Sequence, residues 1–120
     1  VEGLMFPKTQ NKKKRKKHKK SILQDQSIKQ CFLCMLEGDY RVKPVHNHHI
    51  FYGKGMRNIS EEEGIKVNLC VERHHQYGKE SVHGNPGDGN DLILKMIGQK
   101  AYEKTHSRQE FMDRFKKNYL

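Results

Sequence analysis

Three cysteines and eight histidines are the residues of this 120-residue chain best suited to chemistry with a metal ion. Cys31-x-x-Cys34 puts two thiolates on one tight turn, a spacing that lets both sulfurs reach one Zn²⁺ at about 2.3 Å. Cys70 is the remaining thiol, and His74 follows it by one helical turn, about 40° away around a helix axis and so on the same face. Cys31, Cys34, Cys70 and His74 therefore close a tetrahedral Cys₃His set for structural zinc. An odd number of cysteines without a secretory signal makes a disulfide framework the weaker reading. His75 lies about 100° further round the helix than His74, away from the zinc face and towards a strand that carries His48 and His49. A strand-borne His pair facing a helix-borne His makes a second site with nitrogen ligands and open positions, the arrangement of a catalytic metal. His18, His46 and His106 are read as ordinary surface or satisfied imidazoles.

The elements that must position these residues can be read from pattern. Val42 to Tyr52 is rich in β-branched, aromatic and His residues, as a strand or strand pair would be, and Gly53 and Gly55 break it. Ser60 with Glu63 forms a capping-box pattern, and Gly64 can end the single turn so started. Val67 to Leu69 reads as a short strand, and Cys70 to Tyr77 as the opening of a helix. After the Gly84 to Asn90 loop, Asn90 or Asp91 can cap a helix with an apolar stripe of Leu92, Ile93, Met96, Ile97 and Ala101 with Tyr102. Ser107 and Glu110 make a second capping box before Phe111 and Phe115, one turn apart on a last short helix.

Only 33% of residues are hydrophobic and Trp is absent, so any core is modest. A structural zinc would support it, since such sites supply apparent binding energies of about 10–16 kcal/mol to folding. The net charge of +10 is concentrated. Lys8, Lys12, Lys13, Lys14, Arg15, Lys16, Lys17, Lys19 and Lys20 stand together without an acid, and the rest of the chain is nearly neutral. Like charges so dense repel and bury nothing, which predicts a disordered basic arm and lead-in over 1–30, ahead of one domain over 31–120. The arm's partner should be a polyanion, bound without sequence choice. Lys54 and Arg57, just past the His strand, are candidate phosphate contacts. No run of about 18 apolar residues can span a bilayer and no signal-peptide core is visible, so the expected setting is a reducing cytoplasm with no membrane partner.

The order Cys31-x-x-Cys34, His48-His49-Ile50, Leu69-Cys70 and a closing His resembles the HNH (ββα-metal, His-Me finger) endonucleases. His48 to Gly53, Arg57 to Glu61, His74-His75, Val82-His83, Phe111-Met112 and Asn118-Tyr119-Leu120 resemble more closely the small phage and prophage HNH proteins akin to Ref-like recombination nucleases. The likeness covers Cys31 to Leu120. It implies a small α+β fold with a ββα-metal core, a structural zinc knuckle and C-terminal helices. It implies metal-dependent hydrolysis of DNA phosphodiesters, associated with recombination and with a recombinase or single-strand annealing protein as a further partner. By the same resemblance His48 ligates a catalytic Mg²⁺, Mn²⁺ or Zn²⁺, His49 is the general base, His75 a second ligand, and His83 a third ligand or phosphate contact. The central Asn of the motif corresponds to Asn68, with Asn58 the other candidate. Two departures are visible: the second knuckle, Cys70 to His75, is one residue longer than usual, and Asn68 stands only two residues before Cys70. The alternatives are a zinc-stapled nucleic-acid-binding module and a recombination accessory protein, neither of which cleaves.

Overall fold

The computed structural model describes residues 19–76 and 78–120. The candidate nucleic-acid contacts at 12–17 lie outside them. The elements run α1 (Phe32–Leu36), β1 (Val45–His49), α2 (Met56–Glu63), β2 (Lys66–Cys70), α3 (Gly89–Tyr102) and α4 (Arg108–Phe115), a small α+β arrangement around one two-stranded antiparallel sheet.

The sheet sets the directions of the chemistry. β1 pairs with β2 in the register Val45↔Cys70, His46↔Leu69, Asn47↔Asn68, His48↔Val67 and His49↔Lys66. Successive side chains of a strand point to opposite faces, so His46 and His48 share one face and Asn47 and His49 the other. Every residue of β2 is buried, and its free edge is covered by the lead-in. Ile22 N–H bonds to Gly64 O at 2.9 Å, Ser21 Oγ donates to Lys66 O at 2.6 Å, and Asn68 N–H donates to Gln24 Oε1 at 2.5 Å. Gly64 is needed for this close approach: its φ is 73°, and a Cβ there would meet Lys20 O at 2.5 Å.

Three local expectations are corrected. Ser60 is not a cap. It sits inside α2, whose ends are Gly55 and Gly64, and its buried hydroxyl accepts from Phe51 N–H and donates to Ile65 O, joining the end of β1 to the start of β2. Residues 71–76 form turns rather than a helix, because the Cys70 carbonyl takes the N–H groups of both His74 (3.3 Å) and His75 (3.2 Å) and stops the ladder. The cap of α3 is Asp88, not Asn90 or Asp91, and its buried stripe is Asp91, Leu94, Gly98, Gln99 and Tyr102, leaving Ile93 exposed. Gly98 rotates the helix to this face by permitting contact: a Cβ there would lie 2.8 Å from Ile65 Cγ2 and 3.2 Å from Phe51 Cε2.

The Ser107–Glu110 capping box forms as the pattern predicts and aims Phe111 and Phe115 inward. Their rings meet Phe51 at 5.5 and 4.6 Å between centroids, and Tyr102 at 5.7 and 5.6 Å. Phe51 follows β1 by two residues, so this aromatic cluster anchors the end of the His strand. Among the described residues no helix is long and apolar enough to cross a membrane. Phe111 is fully buried, and Phe111→Ala should cost about 3–5 kcal/mol in urea unfolding of zinc-loaded protein, against less than about 1 kcal/mol for the exposed Met112→Ala.

Candidate metal centres

Cys31, Cys34, Cys70 and His74 converge in the core, and all four are completely buried. His74 Nδ1 lies 3.2, 3.5 and 3.3 Å from the sulfurs of Cys31, Cys34 and Cys70, and Cys34 Sγ is 3.9 Å from Cys70 Sγ. A tetrahedron with metal–sulfur bonds near 2.3 Å and a metal–nitrogen bond near 2.0 Å has edges of about 3.8 Å between sulfurs and about 3.5 Å between sulfur and nitrogen. These four separations lie within about 0.3 Å of those edges, and all three cysteines are free rather than joined in a disulfide. Burial pushes the Cys31 thiol up to about 12 and the Cys34 thiol upward too, so the thiolates a site requires form only with a cation among them. Burial lowers His74, keeping its ring neutral with a lone pair for the centre.

The surroundings suit such an ion. Cys31 Sγ accepts from Cys34 N–H at 3.4 Å while capping α1, and Lys43 Nζ donates to Cys34 Sγ at 3.4 Å. His74 Nε2 faces Glu37 Oε2 at 3.8 Å, and Arg73 ties Glu37 and Glu80 together over that ring. The buried Cys₃His cluster can hold a metal ion such as zinc.

The second group is His48, His75 and His83, whose donor atoms also lie within 4.8 Å of one another. His48 comes from the inner face of β1 and His75 from the turn. His83 is brought back by Val82 N–H to His74 O (2.9 Å) and His83 N–H to His75 O (3.0 Å). The rings meet edge to face, with centroids 5.3, 5.0 and 4.8 Å apart. Burial first, then the neighbouring imidazoles, hold His48 down at about 2 and His75 at about 4; burial also lowers His83. His48 Nε2 is buried without a hydrogen-bond partner among the described residues. Three neutral imidazoles with converging lone pairs form a nitrogen donor set that fits a divalent cation.

The adjacent histidines of β1 separate. His49 is not among the three converging donors; it points to the other face, where its Nε2 lies 2.6 Å from Glu61 Oε1. This corrects the expectation of a His pair facing one imidazole, since neighbours on a strand cannot both face the same partner. His49 still lines the mouth of a pocket of about 210 Å³ with Asn47, His48, Tyr52, Arg57, His75 and His83. Arg57 is thus at the site, whereas the exposed Lys54 does not line it. Asn68 clamps the lead-in, donating through Nδ2 to Gln26 O (3.2 Å) and Ile28 O (3.3 Å), and Asn58 is exposed on α2.

Three participants escaped the sequence reading. His46 is not an idle imidazole: its Nδ1 lies 2.8 Å from His75 Nδ1, and its place two residues before His48, on the same face of the strand, is the signal for it. Glu61 and Lys66 carried no signal of their own. Burial works to raise the Glu61 carboxyl, but its bonds to Lys66 and His49 outweigh that and hold it at about 2.

Beside this geometry, comparison with known proteins supplies no relative: no family model matches the chain, and no curated protein or solved structure matches it. The class is therefore the one the coordinates define, a small α+β chain with a buried Cys₃His cluster able to hold a metal ion such as zinc.

The two groups should be separable by metal analysis. Cys70→Ser should lose tightly bound zinc and cooperative unfolding together. His48→Ala should keep its zinc but lose the rise in Tm that added Mn²⁺ gives the wild type, as read by elemental analysis and thermal melts.

Proposed function

We propose that this chain is a metal-dependent DNA endonuclease of the HNH type, with β1, β2 and the turn after them carrying the residues that a ββα-metal core would supply. The observation that carries the reading is the convergence of three neutral histidines, His48, His75 and His83, on a pocket that a fourth, His49, also lines. A closed four-ligand site braces a fold, whereas three nitrogens beside a solvent-facing pocket leave positions for water and a phosphate oxygen.

Hydrolysis needs a nucleophile in line with the departing 3′ oxygen and positive charge where negative charge grows. His49 takes a proton from the attacking water; the new P–O bond forms as the bond to the 3′ oxygen breaks, and that oxygen leaves as a hydroxyl with a proton from solvent. A divalent ion, Mg²⁺, Mn²⁺ or Zn²⁺, at the three histidines would supply Lewis-acid stabilisation of the phosphate and the leaving oxygen. Arg57 at the pocket mouth holds non-bridging phosphate oxygens. A wider groove of about 810 Å³ along residues 19–27 carries Lys19 and Lys20 and extends the charge of the basic arm towards the sheet. Such contacts set register on the duplex and leave sequence choice to backbone shape. A place in phage recombination beside a recombinase or annealing protein, in the cytoplasm, is the part of the proposal supported by the sequence resemblance alone.

Supercoiled, linear and single-stranded DNA incubated with the full chain and Mg²⁺ or Mn²⁺ tests this. The wild type should cut at least one form, and His49→Ala should cut roughly 10²- to 10⁴-fold more slowly while binding DNA within about twofold of wild type. Binding should weaken with salt at a log–log slope no steeper than roughly −8, about −0.9 for each phosphate the arm neutralises. Intact DNA in every arm, with binding retained, would instead establish a zinc-stapled binding module.

A further inference from the structure

The proposed mechanism gives His49 a role but none to the part-buried acid and lysine beside it. Glu61, from the second turn of α2, places its two carboxylate oxygens between two partners: Oε1 lies 2.6 Å from His49 Nε2, and Oε2 accepts from Lys66 Nζ at 2.7 Å. Lys66 is the direct ladder partner of His49, so both side chains rise from one face of the sheet and end on a single carboxylate. Their side chains are 10%, 19% and 9% exposed for His49, Glu61 and Lys66, which leaves the carboxylate little freedom to turn away.

The hydrogen-bonding inventory of these neighbours fixes where the His49 proton is. An ionised carboxylate only accepts, so the nitrogen facing Glu61 must carry the hydrogen. On the other side of the ring, Arg57 Nε donates to His49 Nδ1 at 3.3 Å, and a guanidinium only donates, so Nδ1 must present its lone pair. Two residues of one helix, on opposite sides of the imidazole, independently require the same tautomer. Arg57 is exposed, and its long side chain can move to an arriving phosphate, which uncovers Nδ1.

We propose that Glu61 is a positioning residue: clamped by Lys66, it holds His49 with the proton on Nε2, so that Nδ1 is the atom that receives the proton of the attacking water. The chemistry rests on the nuclease reading above; the tautomer assignment rests on geometry alone. The plainer alternative is that Glu61 only neutralises the buried Lys66.

Glu61→Gln separates the two. Lys66 has no acceptor, so it should attract the amide oxygen and turn the NH₂ towards His49 Nε2, driving the ring proton to Nδ1. In long-range ¹H–¹⁵N spectra of the full chain with zinc and Mg²⁺, wild-type His49 should carry its proton on Nε2 and the Glu61→Gln protein on Nδ1. On supercoiled plasmid kcat should fall about 100-fold or more with KM changed less than about threefold. Adding Lys66→Met removes the cation that draws the amide oxygen away from His49, so that oxygen can face Nε2–H again, and kcat should recover about tenfold over the single variant. A purely neutralising role predicts no such recovery. A wild-type proton on Nδ1, readable without any variant, overturns the proposal, as does a double variant no better than Glu61→Gln. Expected tautomers in a wild type that cuts nothing uphold the assignment of Glu61 and sink the nuclease reading instead.

Discussion

Three thiols and an imidazole fully buried side by side are the constraint on which the rest of this fold depends. As neutral thiols they would add only three small apolar groups to a modest core, whereas as thiolates they need a cation in their midst and then tie the core together. The cluster ties α1 to the end of β2 and the turn after it, which lie 36 to 43 residues further along the chain. That turn is shared. His74 faces the sulfurs and His75, the next residue, faces His48 and His83, so whatever fixes one ring also aims the other. An ion at the first cluster would therefore pre-organise the second without touching it.

The electrostatics of the two groups differ in kind. Around the sulfurs, Lys43 offers a donor and the Glu37–Arg73–Glu80 network covers the remaining nitrogen of His74, as suits a site that stays closed. Around His48, His75 and His83 the flanking groups include His46, 2.8 Å from His75, Tyr52, with Lys95 above its ring at 4.4 Å and paired with Asp91, and Asn47, His49 and Arg57 along the pocket. A donor set of three neutral nitrogens keeps the full charge of a bound dication available to an anionic ligand, which thiolates would cancel.

The ligand sets were legible because metal donors leave traces in spacing: Cys31-x-x-Cys34, then Cys70 and His74, can be read without knowing the fold. For the second group, a strand beside the knuckle pointed to His48 and His75 but also to His49, which faces away, and His83 entered only through the family resemblance. What failed was local detail in which tertiary contacts override pattern. Ser60 matches a capping box, but Phe51 N–H and Ile65 O gave its hydroxyl better partners. The helix expected after Cys70 does not form, and the turn in its place already suffices to deliver two rings in different directions. The stripe of α3 differs from its apolar pattern because Asp91, Gly98 and Gln99 join Leu94 and Tyr102 on the inward face, Asp91 being satisfied there by Gly87 N–H and Gly98 admitting close contact with Ile65 and Phe51. Glu61 and Lys66 were beyond reach, since their meeting with His49 depends on strand register and on the angle of α2, neither of which is written in any short motif.

The most direct measurement is anomalous diffraction from crystals of the full chain grown with zinc and then exposed to Mn²⁺. The account predicts a zinc peak enclosed by Cys31, Cys34, Cys70 and His74, and a distinct second peak bounded by His48, His75 and His83 with His49 outside its coordination. An ordered fold with no zinc among the sulfurs, or a Mn²⁺ ligated by His49 in place of His83, would contradict it.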